Sequence, residues 1–344
     1  MDVGLIPDRV RERDLVGYGR NPPPFAWPEQ ALVVVNVVLV YEEGSEYSVR
    51  WGDDRNDGWG ERPDAAIAAP DLDLGTESHF DYGSRAGIWR LARIIDEAAI
   101  PVTVSATAAA LELNPAVAGW MNERDHDLLG HGWRWIEPWR LSRDEEYQQL
   151  LQAIDSYQRV LGSRPFGWNC RSVPTQHTRE LLVQEGGFLY DSDSSADDVP
   201  FYARTSRGQF LVIPYSKTYN DSRYLISPGF ASPRDFLETL TFGLDQLVRE
   251  RRTAMMTVCL HARWSGQAAR AAALSAFVDH ARGLQDVAFM RRLDIARWWL
   301  DSYPAPGEES AHRGPAKRHD GPRDAPPSQA GKDGTCALQS DEVL

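Results

Sequence analysis

Two adjacent carboxylates end an apolar run near the start of the chain. The segment LVVVNVVLVYEEGSE is almost all hydrocarbon until Glu42 and Glu43, and a glycine follows at once. A buried parallel strand can deliver catalytic groups at its carboxyl end, where an acid can accept a proton from water. Two such acids in a desolvated pocket should raise one of their pKa values toward the useful range. A solvated turn after a strand would have the same sequence, so the pair alone leaves both interpretations open.

Two histidines occupy similar positions further along. His131 follows a short apolar run in LLGHGWRW, and His261 ends another in TVCLHARW. Core packing alone does not predict three buried runs that each end in a titratable side chain. We predict that these side chains meet although they are remote in sequence. The predicted catalytic set is Glu42, Glu43, His131 and His261.

Arginines and aromatic residues cluster near the same positions. A guanidinium group binds a planar carbonyl or carboxyl group through paired donors, and an indole ring offers a flat wall to a small ring. The predicted substrate-binding set is Trp133, Arg134, Trp135, Arg171, Tyr190, Asp191 and Arg263. For Asp191, a helix cap or a turn explains the sequence equally well.

The elements that must position these residues alternate along the chain. Strand-like runs occur at 31–40, 101–107, 126–130, 209–214 and 254–260. Helical patterns occur at 83–98, 142–162, 178–185, 234–251 and 267–283. The helix at 142–162 opens with Ser142 and Glu145 as a capping box and ends at Gly162. Buried strands that alternate with helices predict βαβ units, a parallel sheet and an α/β barrel.

Composition divides the chain into three parts. Residues 1–30 are rich in proline and aromatics, which predicts an N-terminal arm packed on the barrel surface. Residues 31–303 form the predicted barrel. Residues 304–344 contain few aliphatic side chains, so they cannot bury enough surface to offset chain entropy, and we predict a disordered tail.

Charge and cysteine content narrow the partners. The 344 residues carry a net charge of −13, which disfavours binding to nucleic acid and to anionic membranes. No apolar run reaches the ~18 residues of a spanning helix, and the N-terminus lacks a secretory h-region, so we expect a cytoplasmic protein. The three cysteines are too sparse for a disulfide scaffold or zinc knuckle. The expected partner is a small-molecule substrate, and the acidic surface and the arm are compatible with a symmetric homo-oligomer.

Together these segments resemble the polysaccharide deacetylase superfamily, whose fold is a distorted (β/α)7-type barrel. VYEEG stands at the family's Thr-Phe-Asp-Asp-Gly block, LLGHGWRW at its histidine block, CRSVP at its Arg-x-x-Pro block and VCLH at its final Leu-x-His. RDLVGYGRNPP, DYGSRAGIWRL, GGFLYDSD, LVIPY and LHARWSGQAAR are more narrowly similar to the allantoinases of urate catabolism, which open a hydantoin ring.

The resemblance implies roles for the site residues. Glu42 matches the family's catalytic base, and His261 matches the final histidine and would protonate the departing nitrogen, although His131 could exchange roles with it. Arg171 would bind a carbonyl oxygen or the developing oxyanion.

The resemblance also bears on cofactors. In the deacetylases, the second acid of the first block and two histidines four residues apart bind a divalent metal, whereas here Trp135 takes the place of the second histidine. The allantoinase subgroup works without an added metal. We therefore expect no cofactor, with Glu43, His131 and His261 as the residues that could bind zinc weakly.

These observations predict a hydrolase that opens the C–N bond of a cyclic amide or ureide. Allantoin, converted to allantoate, is the first substrate to test, followed by other hydantoins and cyclic imides. One alternative is a metal-dependent de-N-acetylase of an amino sugar, which would contain zinc. Another is a non-catalytic barrel that binds a small molecule, against which the intact acid, histidines and Arg171 argue.

Overall fold

The computed structural model describes residue 10 and residues 12–60, 67–226 and 229–305. In these residues, nine strands form one sheet. In chain order they are β1 (Val33–Tyr41), β2 (Val102–Ala106), β3 (Asp127–Gly130), β4 (Gly167–Trp168), β5 (Tyr190–Asp191), β6 (Phe201–Thr205), β7 (Gly208–Val212), β8 (Ala254–His261) and β9 (Val287–Phe289).

The α-helices of the described ranges alternate with these strands. They are α1 (Leu74–Tyr82), α2 (Ile88–Ala98), α3 (Ala108–Leu113), α4 (Pro115–Glu123), α5 (Arg143–Leu161), α6 (Thr178–Glu185), α7 (Pro233–Arg249), α8 (Ala262–Ser265), α9 (Ala268–Arg282) and α10 (Arg292–Ser302). The predicted capping box of α5 is present, with Ser142 accepting from Glu145 N and Glu145 reaching back, and Gly162 ends the helix in a left-handed conformation.

The sheet has the form of an open, distorted barrel. Its strand order is β6-β7-β5-β4-β3-β2-β1-β8, and β9 pairs with the first half of β1. The pairings are parallel except for the β6–β7 hairpin. Two contacts connect β8 to the other end of this strand order. A bridge joins Asn220 and Cys259, and Met255 N–H donates to the Asp198 carbonyl at 2.7 Å. The predicted α/β barrel is confirmed.

Two local predictions were incomplete. The sheet is not wholly parallel, because β6 precedes β7 in an antiparallel hairpin. The helix predicted at 83–98 begins earlier, since α1 runs into a π-helical turn at Gly83–Gly87 before α2. A Cβ atom at Gly87 would lie 2.1 Å from the Ala262 carbonyl oxygen. The glycines therefore allow this turn to approach α8 closely, which apolar periodicity does not reveal.

The side chains of β1 alternate between two environments. Val33, Val35, Val37, Leu39 and Tyr41 pack outward against the helices. Val34, Val38 and Val40 face the barrel interior. Because successive side chains of a strand point to opposite faces, the alternation predicts that Glu42 points inward and Glu43 points outward.

A buried arginine joins the strands below the level of Glu42. Arg292 is fully buried, and its guanidinium donates to Asn36 Oδ1, Thr257 Oγ1, Ser192 Oγ and the Ile213 and Pro214 carbonyls, at 2.6–3.0 Å. Desolvation lowers the pKa of Arg292. The polar layer around it fixes the relative positions of β1, β8 and the β5–β7 side of the barrel.

The end of the barrel remote from Glu42 is covered by the segment before β1 and by α10. Trp27 is buried and donates to the Ala254 carbonyl at 2.8 Å. Phe25 packs against Trp299 and Tyr303, with ring centroids 4.7 and 4.9 Å apart. The tail predicted as disordered lies outside the described residues from 306 onward. Across the described ranges, no helix is both long and apolar enough to cross a membrane.

Candidate active site

Glu42, His131 and His261 converge at one edge of the sheet. The register places the carboxyl ends of β1, β3 and β8 at neighbouring levels. Nε2 of His131 lies 3.4 Å from Glu42 Oε2, and Nε2 of His261 lies 3.7 Å from Glu42 Oε1. All three side chains are buried. The structure therefore brings together one acid and two imidazoles that are far apart in sequence.

Each imidazole is oriented through its other ring nitrogen. Nδ1 of His131 lies 2.7 Å from the Asn169 carbonyl oxygen, and Nδ1 of His261 lies 2.6 Å from Asp221 Oδ1. Because a carbonyl and a carboxylate only accept hydrogen bonds, Nδ1 carries the proton in both rings and Nε2 is left facing Glu42. Only one of the two rings is backed by a carboxylate. His261 is therefore better placed to bear a positive charge during proton transfer.

Arg263 keeps Glu42 ionised. Its Nη2 donates to Glu42 Oε1 at 2.6 Å, and both side chains are fully buried. Burial by itself would raise the pKa of Glu42, but Arg263, and after it His131 and His261, lower that pKa to about 2. Glu42 Oε2 has no hydrogen-bond partner within the described ranges. This oxygen is available to a water molecule or a substrate.

Glu43 does not face the same space. Its Oε2 accepts from Glu42 N at 2.8 Å, and its Oε1 accepts from Arg263 N at 3.2 Å. A Cβ atom at Gly83 would lie 2.4 Å from Oε1, so the π-helical turn covers the carboxyl group. Burial raises the pKa of Glu43 to about 7, opposed by Arg263 and reinforced by Glu42. The raised pKa expected for one acid of the pair thus belongs to Glu43, which fixes the end of β1 and is removed from the catalytic set.

Arg171 borders a cavity whose lining includes none of Glu42, His131 and His261. Its Nη1 donates to Asp57 Oδ2 at 2.7 Å and to the Trp135 carbonyl at 2.6 Å, and the guanidinium carbon lies 3.6 Å from the Trp135 ring centroid. The cavity has a volume of 310 Å³ and is lined by Tyr47, 55–59, Glu137, Arg140, Arg171 and Leu225. Pockets for small ligands begin at roughly 300 Å³. A second cavity of 40 Å³ is lined by both His131 and Arg171, so Arg171 borders both spaces.

Arg134 ties two loops together and lines the 40 Å³ cavity, not the 310 Å³ cavity. Its Nη1 donates to Asp53 Oδ1 at 3.1 Å, and its Nη2 donates to the Glu46 carbonyl at 2.8 Å. Trp133 is half-buried and meets the Trp51 ring edge-on, with centroids 5.9 Å apart. Both terminal nitrogens of Arg134 are therefore used by protein acceptors, whereas its Nε has none among the described residues. Arg134 anchors loops, and its substrate-binding role stays a prediction.

Tyr190 also lies away from the catalytic cluster. Its ring is fully buried and packs in the lower interior with Trp27, Leu129 and Trp299. A Cβ atom at Gly167 would lie 2.1 Å from the Tyr190 ring, so the glycine of β4 makes room for it. The predicted contact of Tyr190 with substrate is corrected to core packing, because the pleat of β5 turns this residue inward below the site.

Asp191, the next residue of β5, points the other way. Its Oδ2 and Oδ1 accept from Arg179 Nε and Nη2 at 2.6 and 3.1 Å. Arg179 belongs to α6, so the ion pair fixes that helix to the outer face of the sheet. The predicted substrate-binding role of Asp191 is corrected to helix anchoring.

Replacing Asp191 by asparagine tests this correction. Because the ion pair is structural, we expect Asp191→Asn to lower the free energy of unfolding by about 1–3 kcal/mol and to leave kcat and KM within about threefold of wild type. Chemical denaturation and steady-state kinetics measure the two quantities. A large loss of kcat at unchanged stability would return Asp191 to the active site.

Sequence reasoning missed four residues that shape the site. Asp221 lies in a 3-10 turn after the Asn220 bridge, Asn169 follows β4, and Asp57 and Glu46 lie in the loop after β1. None of them follows a long apolar run, which was the signal used to find the others. A buried aspartate such as Asp221, which is fully buried and accepts at 2.6 Å from both His261 Nδ1 and Ser265 Oγ, becomes visible only in three dimensions.

Glu46 is a third buried acid near Arg263. Its side chain is 5% exposed, and its Oε2 has no hydrogen-bond partner among the residues described. Burial raises the pKa of Glu46 to about 8; Arg263 opposes this shift, and the charges of Asp57 and Glu43 add to it. Glu46 is therefore largely protonated at neutral pH.

The raised pKa of Glu46 makes stability depend on pH. Between about pH 4.5 and pH 8 the folded chain binds more protons than the unfolded chain, so the free energy of unfolding falls as pH rises through this window. Glu46→Gln removes this penalty. The melting temperature of the variant minus that of wild type should therefore be larger at pH 8 than at pH 5, by at least about 2–4 °C. Thermal melts at both pH values measure the gain, and Glu97→Gln, on the exposed face of α2, is the control. A difference that stays constant with pH would contradict the assignment.

The donor set does not fit the divalent metal that the family resemblance implies. Trp135 occupies the position of the second histidine. Both Glu43 oxygens accept from backbone N–H groups, and Glu42 Oε1 accepts from Arg263. In the described part of the chain, no group of three or more histidine, cysteine, aspartate or glutamate side chains is arranged to bind a metal ion.

Comparison with known proteins gives consistent matches. A family model described as polysaccharide deacetylase matches residues 77–179. A Schizosaccharomyces pombe protein, named a candidate polysaccharide deacetylase, is 29% identical over 317 residues, which cover 85% of this chain and 98% of its own.

Two solved structures match over similar spans. One is described as PuuE allantoinase: it is 37% identical, has a TM-score of 0.82, and the match covers 85% of this chain and 98% of the other. A candidate polysaccharide deacetylase from Pseudomonas aeruginosa PAO1 is also 37% identical, with a TM-score of 0.79 and coverage of 85% and 99%. The similarity therefore extends over most of the barrel.

Proposed function

Because the chain belongs to the polysaccharide deacetylase family, we propose that it hydrolyses the C–N bond of a small cyclic amide or ureide. Allantoin is the first substrate to test, since one of the two 37% identical structures is an allantoinase. The observation that carries the proposal is the ionised Glu42 held by Arg263 beside two imidazoles. These groups supply proton transfer and charge stabilisation, which ring opening requires.

The first step forms a bond between water and the ring carbonyl carbon. Glu42 Oε2 has no other partner among the described residues and accepts the water proton as the oxygen attacks. A carboxylate with a pKa of about 2 is a weak base. Its action is therefore supported by His131, whose Nε2 lies 3.4 Å away and can receive the proton from it.

The second step breaks the C–N bond. His261, protonated on both ring nitrogens at this stage, gives its Nε2 proton to the departing nitrogen while Asp221 holds Nδ1. The water proton that His131 received then returns to His261 through Glu42, whose oxygens lie 3.4 and 3.7 Å from the two Nε2 atoms. The carbonyl carbon becomes a carboxylic acid, and the nitrogen leaves as a neutral N–H group on the opened chain. The difference between the partners of the two rings supports this division of roles, with His261 as acid and His131 as proton acceptor.

Arg171 is the proposed binding residue, and the Trp135 ring stacked on its guanidinium holds it in place. Arg171 Nε is buried and has no acceptor within the described ranges, so it can donate to a second carbonyl oxygen of the ring. The 310 Å³ cavity beside it contains guanidinium and carboxylate groups from Arg140, Asp57 and Glu137. A ureide has both N–H donors and carbonyl acceptors, so such a mixed lining suits it.

A substrate panel tests this function. Purified protein is incubated with allantoin, hydantoin, a dihydropyrimidine, a cyclic imide and an N-acetylated amino sugar, each with and without a chelator. We expect hydrolysis of a cyclic substrate that the chelator does not reduce. Turnover of the amino sugar alone, lost on chelation, would replace the proposal by metal-dependent deacetylation. Absence of turnover on the whole panel would favour a binding protein.

A further inference from the structure

Arg263 is a fully buried cation in contact with the acid of the site. Its Nη2 lies 2.6 Å from Glu42 Oε1, and its Nη1 lies 3.7 Å from Glu43 Oε1. Its Nε and Nη1 have no hydrogen-bond acceptor in the part of the chain that is described. A buried charge is costly unless it is paired and its donors are used. The ion pair with Glu42 and the side chains around the guanidinium must therefore offset the cost of burying this charge.

Three aromatic rings surround the guanidinium group. Its central carbon lies 4.2 Å from the Trp264 ring centroid, 4.3 Å from that of Phe80 and 5.0 Å from that of Trp135. Aromatic faces stabilise a desolvated cation. We call Phe80, Trp135 and Trp264 the aromatic cage.

The aromatic cage includes the residue that stands where a metal ligand would be. Trp135 stands four residues after His131, where a second histidine ligand would stand, and its ring is part of the cage around Arg263. The residue that removes a ligand thus also helps to bury a fixed cation. Arg263 contacts both Glu42 and Glu43, so a divalent ion bound to either carboxylate would be repelled by the guanidinium at close range.

We propose that the Arg263 guanidinium, held in the aromatic cage, replaces a divalent cation as the fixed positive charge of this site. It keeps Glu42 in place between the two imidazoles. By holding Oε1 of Glu42, it leaves Oε2, which has no partner among the described residues, to accept the water proton. This catalytic consequence rests on the proposed function, whereas the exclusion of a metal ion by Arg263 does not.

Zinc titration of four proteins tests the inference. They are the wild type, Trp135→His, Arg263→Gln/Trp135→His and the control Arg263→Gln/Trp133→His, which adds the same histidine outside the cage. We expect only Arg263→Gln/Trp135→His to bind one zinc ion, at least about 100-fold more tightly than wild type, because it both gains a ligand and loses the repelling charge. Isothermal calorimetry measures the affinity and the stoichiometry.

Three results would overturn the inference. If Trp135→His alone binds zinc as tightly as Arg263→Gln/Trp135→His, Arg263 does not exclude a cation. Equal affinity of Arg263→Gln/Trp135→His and wild type would show that the guanidinium does not occupy a cation site. If Arg263→Gln/Trp135→His unfolds without metal, it is refolded with and without zinc, since a bound ion stabilises the folded state. Failure to fold in both cases would also count against the inference.

The same experiment is independent of turnover. Zinc binding needs no substrate, so a negative substrate panel would remove the proposed function and leave the cation replacement standing. Conversely, wild type could hydrolyse a cyclic ureide while Arg263→Gln/Trp135→His binds no zinc. That result would retain the proposed function and remove the role of Arg263.

Discussion

Glu42→Gln should lower kcat by about 10³–10⁴-fold on the cyclic substrate that the panel identifies. Glutamine has nearly the same shape, but it cannot accept the water proton and it cannot neutralise Arg263. Because Glu42 is ionised down to a pH of about 2, the loss should be similar at every pH at which the protein is folded. Steady-state kinetics at several pH values measure it.

Glu43→Gln is the matched control for that experiment. It makes the same chemical change one residue further on, at a carboxyl group that faces the π-helical turn and accepts backbone N–H groups. We expect less than about a tenfold loss of kcat. If the two variants lose activity equally, the inward and outward assignment of the pair is wrong.

The folded fraction must be measured for both variants. Glu42→Gln leaves a buried guanidinium without its closest counter-ion, and breaking a buried pair costs roughly 3–5 kcal/mol. Rates are therefore compared per folded molecule, using the near-ultraviolet circular dichroism of the tryptophans. A Glu42→Gln protein that is folded and fully active would disprove the proposed mechanism.

Asp221→Asn should be nearly as damaging, with an expected loss in kcat of about 10²–10⁴-fold. Asp221 holds the proton on His261 Nδ1 at 2.6 Å, which leaves Nε2 to exchange a proton with the leaving nitrogen. An asparagine amide can donate to Nδ1 and so favour the other tautomer. Since substrate binding does not depend on this proton, KM should change much less than kcat.

Ser265→Ala is the control for Asp221. Its hydroxyl donates to Asp221 Oδ2 at 2.6 Å, so its removal disturbs the aspartate without changing its charge. We expect a loss of less than about tenfold in kcat. If Asp221→Asn keeps kcat within tenfold of wild type, His261 is not the acid, and His131 becomes the candidate for that role.

The sequence was sufficient to predict the barrel and the three chain segments that meet at its mouth. Long buried runs such as 31–40 and 254–260 are recognisable because both faces of these parallel strands are covered. Their ends supplied Glu42 and His261, and a shorter run supplied His131; the structure brings both histidines within 4 Å of Glu42. Short strands such as β4 and β5, two residues each, carry too little periodicity to be recognised.

Only the tertiary structure decided which way each candidate side chain points and what it meets there. The pleat of β1 sends Glu42 inward and Glu43 outward, and that of β5 sends Tyr190 into the core and Asp191 to Arg179. If either strand were shifted by one residue, the inward and outward members of its pair would change places. A continuous apolar run does not reveal which of its residues face inward. Partners such as Asp221 come from irregular segments whose position depends on the closure of the barrel, so no local pattern marks them. For the same reason, Arg263 could be predicted near the site, but its contact with Glu42 could be known only from the folded chain.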